Sequence, residues 1–153
     1  MSRVRDVLSE LVRGGRIRGS SLKACTAEEV GSIEKHFGCV LPASYRDFLS
    51  MAGHGAGRLF RGTDIFYPRV LGLQRDAIDL FREHGKVDLL PADAKVFCMH
   101  QGYEVNFFLP GLDDPAVFQF VEGAEVVSRA WESFSDYLVT SIESHLKQWV
   151  DLD

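Results

Sequence analysis

No apolar run in this 153-residue chain approaches the roughly 20 residues that a membrane-spanning helix needs, so the sequence offers no such segment. Cysteine is scarce too. Cys25, Cys39 and Cys98 are odd in number and unrelated in spacing, which argues against a disulfide framework and points to a reducing cytoplasm. The opening stretch MSRVRDVLSELVRGG sets Asp6 and Glu10 among its apolar positions and does not fit a secretory signal. Nucleotide-loop, nucleophile-elbow and zinc-protease signatures are all missing. The residues therefore point away from an enzyme and call for no cofactor.

What is present is an ordinary globular composition. With 46% hydrophobic and 25% charged residues, the chain has the material for one core, and its length suits a single domain. The formal charge of −5 is unevenly spread. Residues 1–18 hold five arginines against Asp6 and Glu10, an excess of +3, so the remainder carries −8. Such a body repels nucleic acid and attracts a basic partner, because surface charge steers encounter. The arginines of the first 18 residues fit a solvated amphipathic helix and loop better than a phosphate-binding arm.

Val4, Val7, Leu8, Leu11 and Val12 recur at helical spacing before Gly14-Gly15, and RIRGSSLKAC follows as a polar connector. Thr26 and Glu29 have capping-box spacing and open a helix carrying Val30, Ile33 and Phe37, which Gly38 ends. Pro42 suits the first turn of the next helix, with Tyr45, Phe48, Leu49 and Ala52 on one face. Arg58 to Tyr67 reads as a hairpin or two brief strands, and Leu73 to Glu83 returns to helical period. KVFCMH, YEVNFFL, AVFQFV and EVVSRA then form strand-length runs parted by short turns, an antiparallel meander. Ser133 and Asp136 cap a last helix whose inner side carries Phe134, Tyr137, Leu138, Ser141, Ile142 and Leu146. The expected fold is α+β: an antiparallel meander sheet packed against several helices. Residues 1–25 read as an N-terminal helix and basic connector, and 26–153 as a single globular unit.

Four candidate chemistries fail on the residues. Gly53, Gly55 and Gly57 follow a helix and lead towards strands, the reverse of the strand–loop–helix order that a phosphate cradle needs. Cys25, His36 and Cys39 lack a paired C-x-x-C element and a fourth ligand, so no metal site is expected. Cys98 and His100 share a strand-like run and read as one core and one surface residue. Asp113-Asp114 sits in a turn bracketed by Pro110, Gly111 and Pro115, where carboxylates serve local backbone bonds. His54, between glycines, reads as an exposed loop residue.

Ile33, Glu34, Phe37, Gly38, Leu41, Pro42, Tyr45, Phe48 and Leu49 spell I-E-x-x-F-G-x-x-L-P-x-x-Y-x-x-F-L. This string resembles the opening signature of the SUKH superfamily, typified by a yeast regulator of cell-wall assembly. AWESFSDYL, with Phe134, looks like the family's entry into its final helix. The resemblance covers about residues 26–146. It departs after the second helix, where the family's N-G-G is replaced by Ala52-Gly53-His54-Gly55. It implies helices on an antiparallel sheet. In bacteria it also implies a small cytoplasmic immunity protein that binds and neutralises a cognate toxin, often a nuclease. No catalytic set accompanies it.

Candidate contact residues lie in and around the strand region: Asp64, Tyr67, Tyr103, Glu104, Asp113, Asp114, Glu122 and Glu125. Tyrosines give stiff contact area and carboxylates meet the lysines and arginines of a basic toxin. The alternative is a regulatory interaction module like the yeast relative. It would bind several partners rather than one toxin.

Overall fold

The computed structural model describes residues 2–149 and 152–153. Three of the α-helices, α1, α2 and α5, begin where a side chain accepts a first-turn amide. Ser2 accepts the Arg5 N–H and starts α1 (Arg3–Arg13). The expected capping box is formed at α2 (Ala27–Phe37): Thr26 Oγ1 accepts Glu29 N at 3.1 Å and Glu29 Oε1 accepts Thr26 N at 2.9 Å. Gly38, at φ 66°, supplies the left-handed residue that closes it. Pro42 stands one residue earlier than expected, as the cap preceding α3 (Ala43–Ala52), with an extended ψ of 140°. The later helices are α4 (Leu73–Glu83) and α5 (Phe134–Gln148), the latter capped by Ser133 on Asp136 N.

Glu34 gives the L-P element its physical meaning. Its Oε2 accepts the Leu41 N–H at 3.2 Å and is ion-paired with Arg46 of α3. One carboxylate on α2 thus fixes the turn and the first part of α3, so Leu41, Tyr45, Phe48 and Leu49 all enter the core.

Among the described residues, seven strands follow in chain order: β1 (Leu22–Lys23), β2 (Gly55–Ala56), β3 (Thr63–Asp64), β4 (Lys95–His100), β5 (Glu104–Phe108), β6 (Val117–Val121) and β7 (Ser128–Trp131). The last five form one antiparallel sheet in sequence order, the expected meander. Three local readings change. The polar connector carries buried Ile17 and pairs as β1 with β2. The Arg58–Tyr67 stretch keeps only Thr63 and Asp64 as strand, since Arg58–Gly62 folds as a turn with Phe60 at φ 64°. The EVVSRA strand begins at Ser128, because Glu125–Val127 is spent on a turn whose Glu125 reaches Lys86.

Sheet alternation separates two interiors. Phe120 faces α4, where Phe81 stacks on it at 4.2 Å between centroids. Phe108 faces the other helices and meets Phe37 of α2 and Tyr45 of α3. A bulge between Val96 and Cys98 turns two successive residues, Phe97 and Cys98, toward α5. Phe97 meets Phe134 and Tyr137 there, while the Cys98 thiol lies 3.1 Å from the Tyr137 hydroxyl. α1 covers α3 and α5 from outside.

Candidate functional site

The meander topology decides which candidate residues can act together. The β4–β5 and β6–β7 turns lie at one end of the sheet, and the β5–β6 turn lies at the other. Asp64, Tyr103, Glu122 and Glu125 are at the first end. There the Tyr103 carbonyl accepts the Glu122 N–H at 2.8 Å, and β3 pairs Asp64 with Met99.

α4 lies across this end and adds Asp76, Asp79 and Glu83 around a cleft of about 230 Å³ floored by Leu80 and Met99. Arg69 bridges the cleft, donating to Asp76 at 2.6 Å with Asp64 3.6 Å away. Those contacts hold its guanidinium more firmly protonated than usual, Asp76 foremost. Glu122 pairs with His84 and Glu125 with Lys86. The hydrogen bond from Lys86 holds the Glu125 carboxyl below its ordinary range. Among the described residues, the six carboxylates therefore meet only Arg69, Arg82, Lys86 and His84 in ion pairs. The acids of α4 were absent from the sequence reading, although 76, 79 and 83 keep helical spacing away from buried Leu73, Ala77 and Phe81.

The remaining candidates are elsewhere. Asp113 and Asp114 occupy the opposite end and serve backbone. The Asp113 carbonyl accepts Ser44 N at 2.9 Å, and Asp114 Oδ1 accepts Ser135 N at 3.0 Å. The turn was expected to satisfy its own backbone, yet it caps the starts of α3 and α5. Tyr67 lies against His54, 5.3 Å between ring centroids. His54 in turn is 2.7 Å from Glu29, so it is a paired residue rather than a free loop histidine. That hydrogen bond is the main reason the Glu29 carboxyl sits below its usual range.

Glu104 belongs to a second hollow, a groove of about 540 Å³ between α5 and the sheet. Tyr137, Thr140, Ser141, Ser144 and His145 line it from α5, and His100, Glu104, Gln119 and Trp131 from the sheet. Under it Asn106, buried, donates to Glu104 Oε2 at 3.3 Å and accepts from Gln119 Nε2 at 3.1 Å. His100 Nδ1 is 2.8 Å from Thr63 Oγ1. His145 accepts the Phe60 N–H, and burial, with His100 nearby, pushes its pKa down. Burial also drives the Cys98 thiol up to about 12, against the hydrogen bonds of Tyr137 and Asn106. A protonated thiol is a poor nucleophile. Among the described residues no group of three His, Cys, Asp or Glu side chains is placed to hold a metal ion.

The architecture defines an α+β domain with a five-stranded antiparallel sheet between α4 and the other helices, its surface carrying the acidic cleft and the groove beside α5. The model of the SMI1 / KNR4 family (SUKH-1) matches residues 24–140, and the chain belongs to that family. The family includes immunity proteins and regulators, is generally non-catalytic, and its domains generally bind protein partners. No curated protein matches the chain.

Proposed function

We propose that this chain is a non-catalytic immunity protein of the bacterial cytoplasm that binds and neutralises a basic toxin domain by direct occlusion. The observation that carries the reading is the acidic end built by Asp64, Glu122 and Glu125 with Asp76, Asp79 and Glu83 of α4. Its carboxylates exceed their ion-paired cations, so a cationic partner gains from every charge left over. Tyr103, at the same end and exposed, supplies ring surface that slows release once contact is made. Asp113 and Asp114 drop out of this surface, since both serve helix starts at the far end.

The test is co-expression in a sensitive bacterium with the C-terminal domain encoded by the adjacent gene. Rescue of growth by this chain supports the reading. Charge reversal at Asp76 and Asp79 should lower the association rate with that domain and flatten its salt dependence. Association that ignores salt would remove the electrostatic mechanism. The family's regulators support a second reading, a signalling interaction module. Failure of rescue together with recovery of several host partners would favour it.

A further inference from the structure

The groove between α5 and the sheet differs in chemistry from the acidic cleft on the other side. Only Arg61 and Glu104 among its lining residues carry a formal charge, and they cancel. The cleft beside α4, by contrast, is lined mostly by charged side chains, four of them ion-paired. Half of the groove's fourteen lining residues present neutral hydrogen-bonding groups: the hydroxyls of Thr63, Thr140, Ser141 and Ser144 and the amides of Gln101, Gln119 and Gln148. A hydroxyl both donates and accepts, and an amide offers one of each side by side. Such a lining suits a ligand whose own groups also do both.

Two further observations narrow the ligand. The floor is set before anything binds. The Asn106 amide is fixed by its bonds to Glu104 and Gln119, which aims both of those side chains. Rigid donors and acceptors lose little freedom on binding. At one wall Trp131 meets Tyr137 at 85°, with centroids 4.9 Å apart, making an aromatic corner beside the polar floor. The groove is lined by side chains of a sheet face and a helix face, with Thr63 and Trp131 drawn from the sheet's edge strands β3 and β7.

We propose that this groove is a binding site for an uncharged, hydroxyl-rich ring ligand, a pyranose sugar or short oligosaccharide. The hydroxyl and amide groups take its hydroxyls, and Trp131 takes the apolar face of its ring. Volume agrees, since about 540 Å³ lies within the range of small-ligand sites.

The test is an NMR titration of the isotope-labelled full chain with glucose, N-acetylglucosamine and their β-linked trisaccharides. A neutral Gly-Ser-Gln peptide serves as comparison. The expected result is saturable shifts at Thr63, Gln101, Gln119 and Ser141 with a sugar and none with the peptide. Trp131→Ala should weaken that binding about tenfold, the value of one good ring contact. Ser144→Trp, an exposed substitution at the groove mouth, should abolish it with the melting midpoint unchanged. The proposal is overturned by the absence of any saturable sugar shift, or by sugar binding that Ser144→Trp leaves intact. Saturation by the peptide alone would also overturn it, assigning the groove to protein segments instead.

Discussion

His145 Nε2 accepts the backbone N–H of Phe60 at 3.2 Å, and Phe60 is a non-glycine residue held at φ 64°. The bond joins α5 to the turn that leads into β3. Accepting it fixes the imidazole as neutral, with its proton on Nδ1.

Acid should therefore loosen this turn. The His145 pKa lies below its ordinary 6.5 in the folded chain, through burial first and His100 second. The folded state thus binds fewer protons, and stability present above about pH 6.5 is lost as pH falls towards and through the folded value. Arg61, also at the groove, adds repulsion to a protonated ring, while Glu104 opposes it. His145→Gln keeps an acceptor but cannot titrate. Its melting midpoint should fall less than the wild type's between neutral pH and the lower limit of histidine titration. Equal slopes would show that the bond has no part in acid stability.

Glu34→Ala should destabilise the domain by about 1–3 kcal/mol. It leaves the Leu41 N–H without its acceptor and removes the partner of Arg46. Glu34→Gln retains the acceptor oxygen and should recover part of the loss. Urea unfolding of the three proteins checks the order.

Tyr45 is fully buried and its hydroxyl has no hydrogen-bond partner among the described residues, while its ring touches Phe37, Phe48, Phe97, Phe108 and Phe134. Tyr45→Phe should leave stability unchanged or raise it by up to about 1 kcal/mol, since an unpaired polar group leaves the core. Tyr45→Ala should cost about 3–5 kcal/mol through the cavity it opens. A large loss on Tyr45→Phe, seen by the same unfolding measurement, would mean that the hydroxyl is satisfied.

Gly53→Ala should destabilise by about 1–3 kcal/mol. An added Cβ would clash with Cys25 Sγ and stand 2.7 Å from the Leu49 carbonyl oxygen. Cys25→Ala in the same chain should return only part of this, because the backbone contact stays. The double-mutant cycle measures the share that belongs to the sulfur.

Thiol labelling gives an independent check on the core. Burial drives the Cys25 thiol to about 11 and the Cys98 thiol to about 12, while Cys39 is only half-buried. At neutral pH, Cys39 should react first and the other two only after unfolding. Fast labelling of Cys98 would place α5 and β4 further apart than they stand here.

Local signals were easy to read from the sequence. The Thr26–Glu29 box, Gly38 at the end of α2 and the Ser133 cap each act within a few residues, and each formed as expected. The meander followed from strand-length runs with short turns. The candidate site was harder, because neighbours in sequence separate whenever a strand intervenes. Asp114 and Glu122 are parted by β6 and so sit at opposite ends of the sheet. The acids of α4 join Glu122 and Glu125 only through a tertiary crossing that no local pattern announces. The groove depends on the bulge after Val96, which turns Cys98 towards α5, and one extra residue in a strand leaves little trace in hydropathy.

The turn carrying Asp113 and Asp114 has a dynamic consequence. It closes the first-turn amides of two helices that are far apart in the chain, Ser44 through a carbonyl and Ser135 through a carboxylate. Opening it frees both at once. Hydrogen exchange at those two amides should follow one shared event, so the entries of α3 and α5 behave as a single cooperative unit although 91 residues separate them.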